Sequence, residues 1–415
     1  MTRGRLVLRI LICSEYAPLL PVNGARLVLR ALLPQLQKRH DVRIVCIATA
    51  DEAMRCDPQT TTPVVLEHPR WTLPLSVLRS TVTGRPLRVD DLAAAVRPPL
   101  ADEIASFRPD VVHVMTGGLA GLGRNLGGWP SILAALDAPH LNWEAQALAA
   151  RRLRRLLLLQ EARRVRRFEH SEYKEFGRVV VVSESDRDSL ANVGGGRLRI
   201  AVVPNGVDSD YFAADARRPD ARTVAFHGVM DFAPNVTAAR YLAERIWPRV
   251  LEQEPGARLL LIGRNPTADV RALGEDATIT VTADVADVRP WLRQAAVYAC
   301  PMVSGTGIKN KLLEAMALEL ACVASPRALG GLAVEPGKQL LVADGEAEFA
   351  SAVVGLVRDA GRRESLGREA RTYVRAAHSW EAAAKAYEAV YHEVIGEASL
   401  PNERPSLPRS AESAP

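Results

Sequence analysis

Aromatic residues are scarce, at 5% of the 415-residue chain. Rows of aromatic sugar platforms or base-stacking stripes are therefore not expected, because stacking needs ring after ring along the ligand. A strong excess of one charge is also missing. Lys and Arg number 53 against 48 Asp and Glu, a net +5, which is too mild to imply a nucleic-acid partner. Cysteine is sparse, and Cys13, Cys46, Cys56, Cys300 and Cys322 have no metal-like spacing. Three of them lie in or beside apolar runs and read as buried thiols of a reducing compartment. No apolar stretch approaches a spanning helix. Met1–Ile12 lacks a long apolar run followed by a small-residue cleavage site. Secretion is not expected, and a cytoplasmic location is.

What is present forms cores. Hydrophobic residues make up 48% of the chain, and at this length two domains are the natural expectation for an α/β protein. Leu6–Cys13 reads as a first buried strand, Arg26–Lys38 as a helix and Val42–Ala48 as the next strand. This unit lacks the GxGxxG fingerprint. Met54–Pro99 reads as irregular, with several prolines. Strands follow at Pro109–Val114, Arg178–Ser183 and Arg199–Pro204, and His140–Glu144 is placed at the end of another, lining a cleft. Pro204–Asp208 is a turn around Asn-Gly that closes the first domain, and Tyr211–Asp220 a linker. The second half repeats the alternation, with strands at Thr223–Gly228, Ala257–Gly263, Ala296–Cys300 and Ala321–Ser325. Glu381–Ile395 is a final helix, and Ser399–Pro415 reads as disordered. The pattern predicts two doubly wound sheets.

The stretch Ala299–Pro326 carries the sharpest chemistry. Gly305 and Gly307 make a tight turn after a strand. Leu312, Leu313, Met316 and Leu320 follow at helical spacing. Lys309 and Lys311 fall near the start of that helix, where positive charge is unfavourable unless something negative joins it. A glycine turn and free helix-start amides are what a phosphate binds. Glu314, one turn beyond Lys311, is placed to reach a sugar hydroxyl. The plainer alternative is a strand–helix junction with solvent-facing lysines and a Glu–Lys pair, and the stretch alone leaves both open. His113 falls at a strand end, where open sheets bind ligands; a core-edge histidine fits as well. Gly24 offers a close-approach backbone after the first strand, and a plain tight turn explains it equally. Arg151–Arg178 is basic, with a Leu-rich run beside its arginines. Such a helix lies on an anionic membrane or keeps a solvated face, and both readings stand.

In this order the segments resemble the retaining GT-B glycosyltransferases of glycosyltransferase family 4, the glycosyl transferases group 1. The likeness rests on Gly24, on PDVVHV with His113, on VVVSESD and on VVPNGVDSDYF, Val202–Phe212. In the second half it rests on FHGVMDFAPN, LLLIGRNP and GTGIKNKLLEAMALELACVAS. The resemblance implies an α/β GT-B architecture, two Rossmann-like doubly wound parallel-sheet domains facing a cleft. It implies an acceptor-binding domain over 1–208 and a nucleotide-sugar-binding domain over 221–380. A helix over 381–397 would cross back to the first domain, ahead of a tail over 398–415.

The implied reaction moves a sugar from a nucleoside-diphosphate sugar to an acceptor hydroxyl with retention of configuration. Glu314 matches the second member of the family's glutamate pair and would hold the nucleotide ribose. The first member would fall at Thr306, a departure for which the Gly305–Ile308 backbone and the Thr306 hydroxyl substitute. Many relatives carry an Arg and a Lys after the first strand of the second domain, and Gly228–Asn235 has neither. Arg264, Lys309 and Lys311 are the natural replacements. The implied donor-binding set is Gly24, Arg264, Gly305, Thr306, Gly307, Ile308, Lys309, Lys311 and Glu314. Catalysis would fall to His113, Lys309 and Glu314, with His113 contacting the donor sugar from the opposite domain. No DxD metal site is evident, so neither a catalytic metal nor a cofactor is required. The acceptor is left open between a lipid-linked and a small molecule, and with it a peripheral contact at the inner face of the membrane. Two rivals stand beside this reading. One is a phosphorylase or sugar-phosphate synthase on the same scaffold. The other is a nucleotide-sugar-binding or scaffold subunit without catalysis, which Thr306 favours.

Overall fold

The computed structural model describes residues 7–19, 24–66, 80–150, 152–213, 220–305 and 307–398. Two compact units divide the chain, Met1–Val203 with Ala383–Pro415, and Pro204–Ala382.

The first unit carries β1 (Arg9–Ser14), β2 (Asp41–Ala48), β3 (Thr61–Val65), β4 (Val111–Met115), β5 (Ser131–Leu136), β6 (Arg178–Val181) and β7 (Ile200–Val202). They form one sheet in the order β3-β2-β1-β4-β5-β6-β7, and every pairing is parallel. Its longer helices are α1 (Gly24–Gln37), α2 (Val89–Phe107), α3 (Pro139–Ala149), α4 (Arg152–Glu172) and α5 (Glu184–Gly194). Strand β3 and the start of α2 fall in the stretch that its prolines marked as irregular. Val89, Ala93, Val96, Leu100, Ile104 and Phe107 recur at helical spacing and are all buried. That apolar stripe carries the helix through Pro98 and Pro99, although each proline removes an amide donor. His140 does not end a strand. Strand β5 stops at Leu136, and His140 sits in the first turn of α3 behind Pro139, a residue that helix starts favour.

The second unit carries β8 (Asp220–Val229), β9 (Arg258–Arg264), β10 (Ile279–Val281), β11 (Ala295–Cys300), β12 (Ala321–Ala324) and β13 (Leu341–Val342). Their order is β10-β9-β8-β11-β12-β13, again all parallel. Helices α6 (Ala233–Tyr241), α7 (Asn310–Ala317), α8 (Glu346–Arg358) and α9 (Ala360–Ala377) belong to it. Helix α10 (Trp380–Ala398) begins in this unit, and its residues from Ala383 belong to the first. Every residue of β4, β11 and β12 is buried, which is why these strands read as continuous apolar runs rather than alternating ones.

The turn Pro204–Asp208 lies in the second unit rather than at the end of the first. Val207 donates its amide to the His378 carbonyl at 2.7 Å, and His378 Nδ1 is 3.0 Å from the Asn205 carbonyl oxygen. Asn205 Nδ2 donates to Asn310 Oδ1 at 3.2 Å. A Cβ on Gly206 would lie 2.6 Å from the Trp380 amide nitrogen, so only glycine lets the two segments meet this closely. Arg151, residues 214–219 of the linker and the 399–415 tail lie outside the described residues.

Each sheet reverses its order beside its first strand. Strand β1 has β2 on one side and β4 on the other, and β8 has β9 and β11. Open α/β sheets take ligands outside the carboxyl ends of the strands at such a switch point. The loops after β1 and β4, and those after β8 and β11, are thereby singled out.

Candidate functional site

Strand β11 delivers the chain of the second unit into the glycine turn, and α7 carries it away. Gly305 and Gly307 have φ of 97° and 66°, left-handed values that a side chain would strain. Lys309 is buried, and its Nζ donates to the Gly307 carbonyl at 2.7 Å. Its ammonium thus folds back over the turn instead of extending into solvent. Ile308 is buried in the unit's core and can offer a ligand only its backbone. Thr306 lies outside the described residues.

Lys311 and Glu314 stand one turn apart on α7, Lys311 held by Asn235 of α6 and Glu314 by His227 of β8. Lys311 Nζ donates to Asn235 Oδ1 and lies 4.9 Å from the centroid of the Phe226 ring. Asn235 in turn donates to the Val229 carbonyl at 2.8 Å. Burial lowers the Lys311 pKa to about 8; Cys300 and Glu314 oppose the shift and Lys309 adds to it. Glu314 Oε2 accepts from His227 Nε2 at 2.7 Å. Gly228 sits beside the Lys311–Asn235 pair. A Cβ there would fall 2.9 Å from Lys311 Nζ and 2.8 Å from Asn235 Nδ2. Arg264 ends β9 opposite Val229, half-buried, with its carbonyl taking the Met230 amide at 2.7 Å.

This arrangement can do one thing well. It gathers two ammonium groups, a bent glycine backbone and an anchored carboxylate at the carboxyl edge of a parallel sheet. The first three suit an anion of several oxygens, and the carboxylate suits vicinal hydroxyls. The solvent-facing reading of the lysines does not hold, since Lys309 is only 7% exposed. His227, Gly228 and Asn235 went unread in the sequence. FHGVMDFAPN contains no Arg or Lys, and nothing in it announces that its polar side chains reach α7.

The first unit's switch point is different. His113 was expected to meet a donor sugar, and the structure corrects this. The residue lies in the middle of β4 with no exposed surface. Its Nδ1 is 2.8 Å from the Tyr391 hydroxyl and its ring stacks on Tyr387 at 5.1 Å, both on α10. Burial pushes its pKa down to about 3, so the ring is neutral. His140 was expected to line the cleft and is likewise buried. Its Nδ1 is 2.6 Å from Glu169 Oε2 and its Nε2 3.0 Å from Ser189 Oγ, which joins α3 to α4 and α5. Gly24 opens α1, exposed, and a Cβ there would meet nothing within 4 Å, so no close approach among the described residues requires glycine. A polar group that the described residues place at this edge is Glu15, just past β1. It accepts from Thr116 Oγ1 and from the Gly118 amide, while burial raises its pKa. Thr116 has φ of 77°, a strained value that turns the chain sharply at the end of β4.

Comparison with known proteins places both units. Residues 22–211 match the family described as Glycosyltransferase Family 4, and residues 221–359 match Glycosyl transferases group 1. The phosphatidyl-myo-inositol mannosyltransferase of Mycobacterium tuberculosis is 31% identical over 160 residues, 37% of this chain and 41% of that protein. The protein of the same name from Mycolicibacterium smegmatis is 29% identical over 196 residues, 45% and 49% of the two chains. The chain thus spans less than half the length of these curated relatives. Among solved structures, the sucrose-phosphate synthase of Thermosynechococcus elongatus superposes with a TM-score of 0.69 at 18% identity, covering 94% of this chain and all 100% of its own. Anabaena HepE, solved in complex with UDP, gives 0.62 at 12% identity over 93% of this chain and 100% of that one. At such identities the structures speak for the fold, two Rossmann-like parallel-sheet units of GT-B type. With both halves matched in turn, the chain belongs to glycosyltransferase family 4, the glycosyl transferases group 1.

Proposed function

We propose that the protein transfers a sugar from a nucleoside-diphosphate sugar to an acceptor hydroxyl, with retention of anomeric configuration. The observation that carries this reading is the joint anchoring of Lys311 and Glu314 on one face of α7, by Asn235 and His227, beside the Gly305–Gly307 turn. In the proposed reaction the bond from the anomeric carbon to the diphosphate oxygen breaks. A bond to the acceptor oxygen forms on the same face of the sugar, and the acceptor proton passes to the departing diphosphate. Negative charge grows on the diphosphate as it leaves. Lys309 and Lys311 favour that charge more strongly in the transition state than in the bound donor. Glu314 holds the ribose. Arg264 and the Gly305–Ile308 amides complete the donor contacts.

Lipid-linked and small-molecule acceptors both remain within this proposal, and one surface favours the first. The 145–160 stretch contains no Asp or Glu. At the ends of α3 and α4 it exposes Leu148, Leu153, Leu156 and Leu157, at 76%, 69%, 64% and 58%. Arg152, Arg154 and Arg155 are exposed among them. Leucines ringed by arginines fit a peripheral contact with an anionic bilayer. No helix among the described residues is long and apolar enough to cross a membrane.

A panel of nucleotide sugars, each with and without candidate acceptors, tests the reaction. Release of nucleoside diphosphate that depends on acceptor is the expected result. Tight nucleotide binding without release supports the non-catalytic binding subunit, the reading favoured by Thr306 at the place of the usual glutamate. Release that depends on inorganic phosphate supports a phosphorylase.

A further inference from the structure

Glu314 does not stand alone at the donor edge. His227, third from the end of β8, donates Nε2–H to its Oε2 at 2.7 Å. The histidine is 4% exposed, whereas the Glu314 side chain keeps 19% of its surface open. The imidazole is fixed in turn. Tyr298, on the adjacent strand β11, meets its ring edge-on with centroids 5.5 Å apart. His227 Nδ1 is buried with no hydrogen-bond partner among the described residues. A ring wedged this way has little freedom to swing, and an acceptor bonded to it inherits that rigidity. A glutamate on a helix surface otherwise samples several rotamers, and each must be given up when a ligand binds.

We propose that His227 is a positioning residue for the donor nucleotide. It occupies one oxygen of Glu314 and thereby aims the other at the vicinal hydroxyls of a ribose. This rests on the reading of Glu314 as the ribose contact. It adds a residue that does not touch the donor and acts through the carboxylate. It also revises how Glu314 works, since with Oε2 engaged by His227 the hydroxyls meet chiefly Oε1 and not a symmetrical fork. The placement is direct. His227 and Phe226 are successive residues near the carboxyl end of β8. Phe226 lies under Lys311 and His227 meets Glu314. Two neighbouring strand residues thus set two groups one turn apart on α7.

Isothermal titration of UDP, GDP, ADP and TDP into the full chain tests the assignment, with thermal unfolding run on every variant. The variants are His227→Leu, His227→Gln, Glu314→Gln and the double variant His227→Leu/Glu314→Gln. His227→Leu is expected to weaken the preferred nucleotide by about 10-fold, the size of one lost charge-assisted hydrogen bond. His227→Gln, which keeps a donor of similar reach, is expected to recover most of that loss. In the double variant the histidine change is expected to add nothing, because its partner is already altered. In turnover, donor KM is expected to rise more than kcat falls. A His227→Leu protein that binds the nucleotide as the wild type does, or a leucine effect that adds in full to Glu314→Gln, overturns the positioning role while leaving the donor site standing. A folded wild type that binds none of the four nucleotides overturns the donor-site reading, and the positioning role with it.

Discussion

The two switch points of this protein have the same topology and opposite chemistry. At the edge of the first unit the described residues just past β1 and β4 bring a half-buried carboxylate, Glu15, against Thr116 and Gly118. At the edge of the second unit it leaves β8 and β11 with two ammonium groups and a carboxylate, each tied to a named partner. The two histidines make the same contrast. His113, at mid-strand, is sealed under two tyrosines of α10. His227, near the end of its strand, orders a carboxylate that is still partly open. Position along the strand decides between them. A side chain at mid-strand meets the helix layer, and one near the carboxyl end meets the loops where ligands bind.

Replacing both lysines by methionine is the most forceful way to break this contrast. Lys309→Met/Lys311→Met keeps much of the side-chain length and removes the charge. Nucleoside-diphosphate affinity is expected to fall about 100-fold or more, as charge-assisted bonds of about 1.5–3 kcal/mol each are lost. Wild-type affinity by calorimetry would return both lysines to a structural role. Raising the pH acts on Lys311. Lys311, with its pKa lowered to about 8, is charged below that value and loses its proton above it. Affinity is expected to fall by up to about 10-fold per pH unit above about 8. Unliganded stability should move the opposite way. Between about 8 and the ordinary lysine value near 10.4 the unfolded chain holds the extra proton, so the folded state gains with rising pH. Lys311→Met should flatten its contribution to both trends, and a parallel pH profile in wild type and variant would assign the titration elsewhere.

Gly228→Ala sharpens the geometry. Its Cβ presses on the Lys311–Asn235 pair, and the pair can yield because both contacts are side-chain ends. The shift is expected to cost about 1 kcal/mol of nucleotide affinity, about 5-fold, as for one disturbed hydrogen bond. No loss at all would show that the pair can move without consequence. His113→Leu carries the smallest expected effect on binding, none. It strips the Tyr391 hydroxyl of its partner and should lower stability by about 1–3 kcal/mol. Reduced nucleotide affinity at unchanged stability would bring His113 back to the donor site.

The sequence by itself was enough for the alternation of strands and helices, for the glycine turn and for the place of Lys309 at the start of the helix behind it, with Lys311 and Glu314 on that helix. Those features are local, set by periodicity, backbone freedom and spacing within some fifteen residues of chain. It was not enough for α2, where buried packing overrode two prolines, nor for Pro204–Asp208, whose place was settled by bonds to His378 and Asn310. It also misled over His113. A histidine near a strand end reads the same whether the next layer is a ligand or a helix, and the helix that covers it lies 278 residues along the chain. The pairing of His227 with Glu314 spans 87 residues and that of Asn235 with Lys311 spans 76. Only parallel pairing of β8 with β11 brings these partners together. A side chain's neighbours across a sheet are fixed by which strands pair, and that is a property of the tertiary fold rather than of any local stretch.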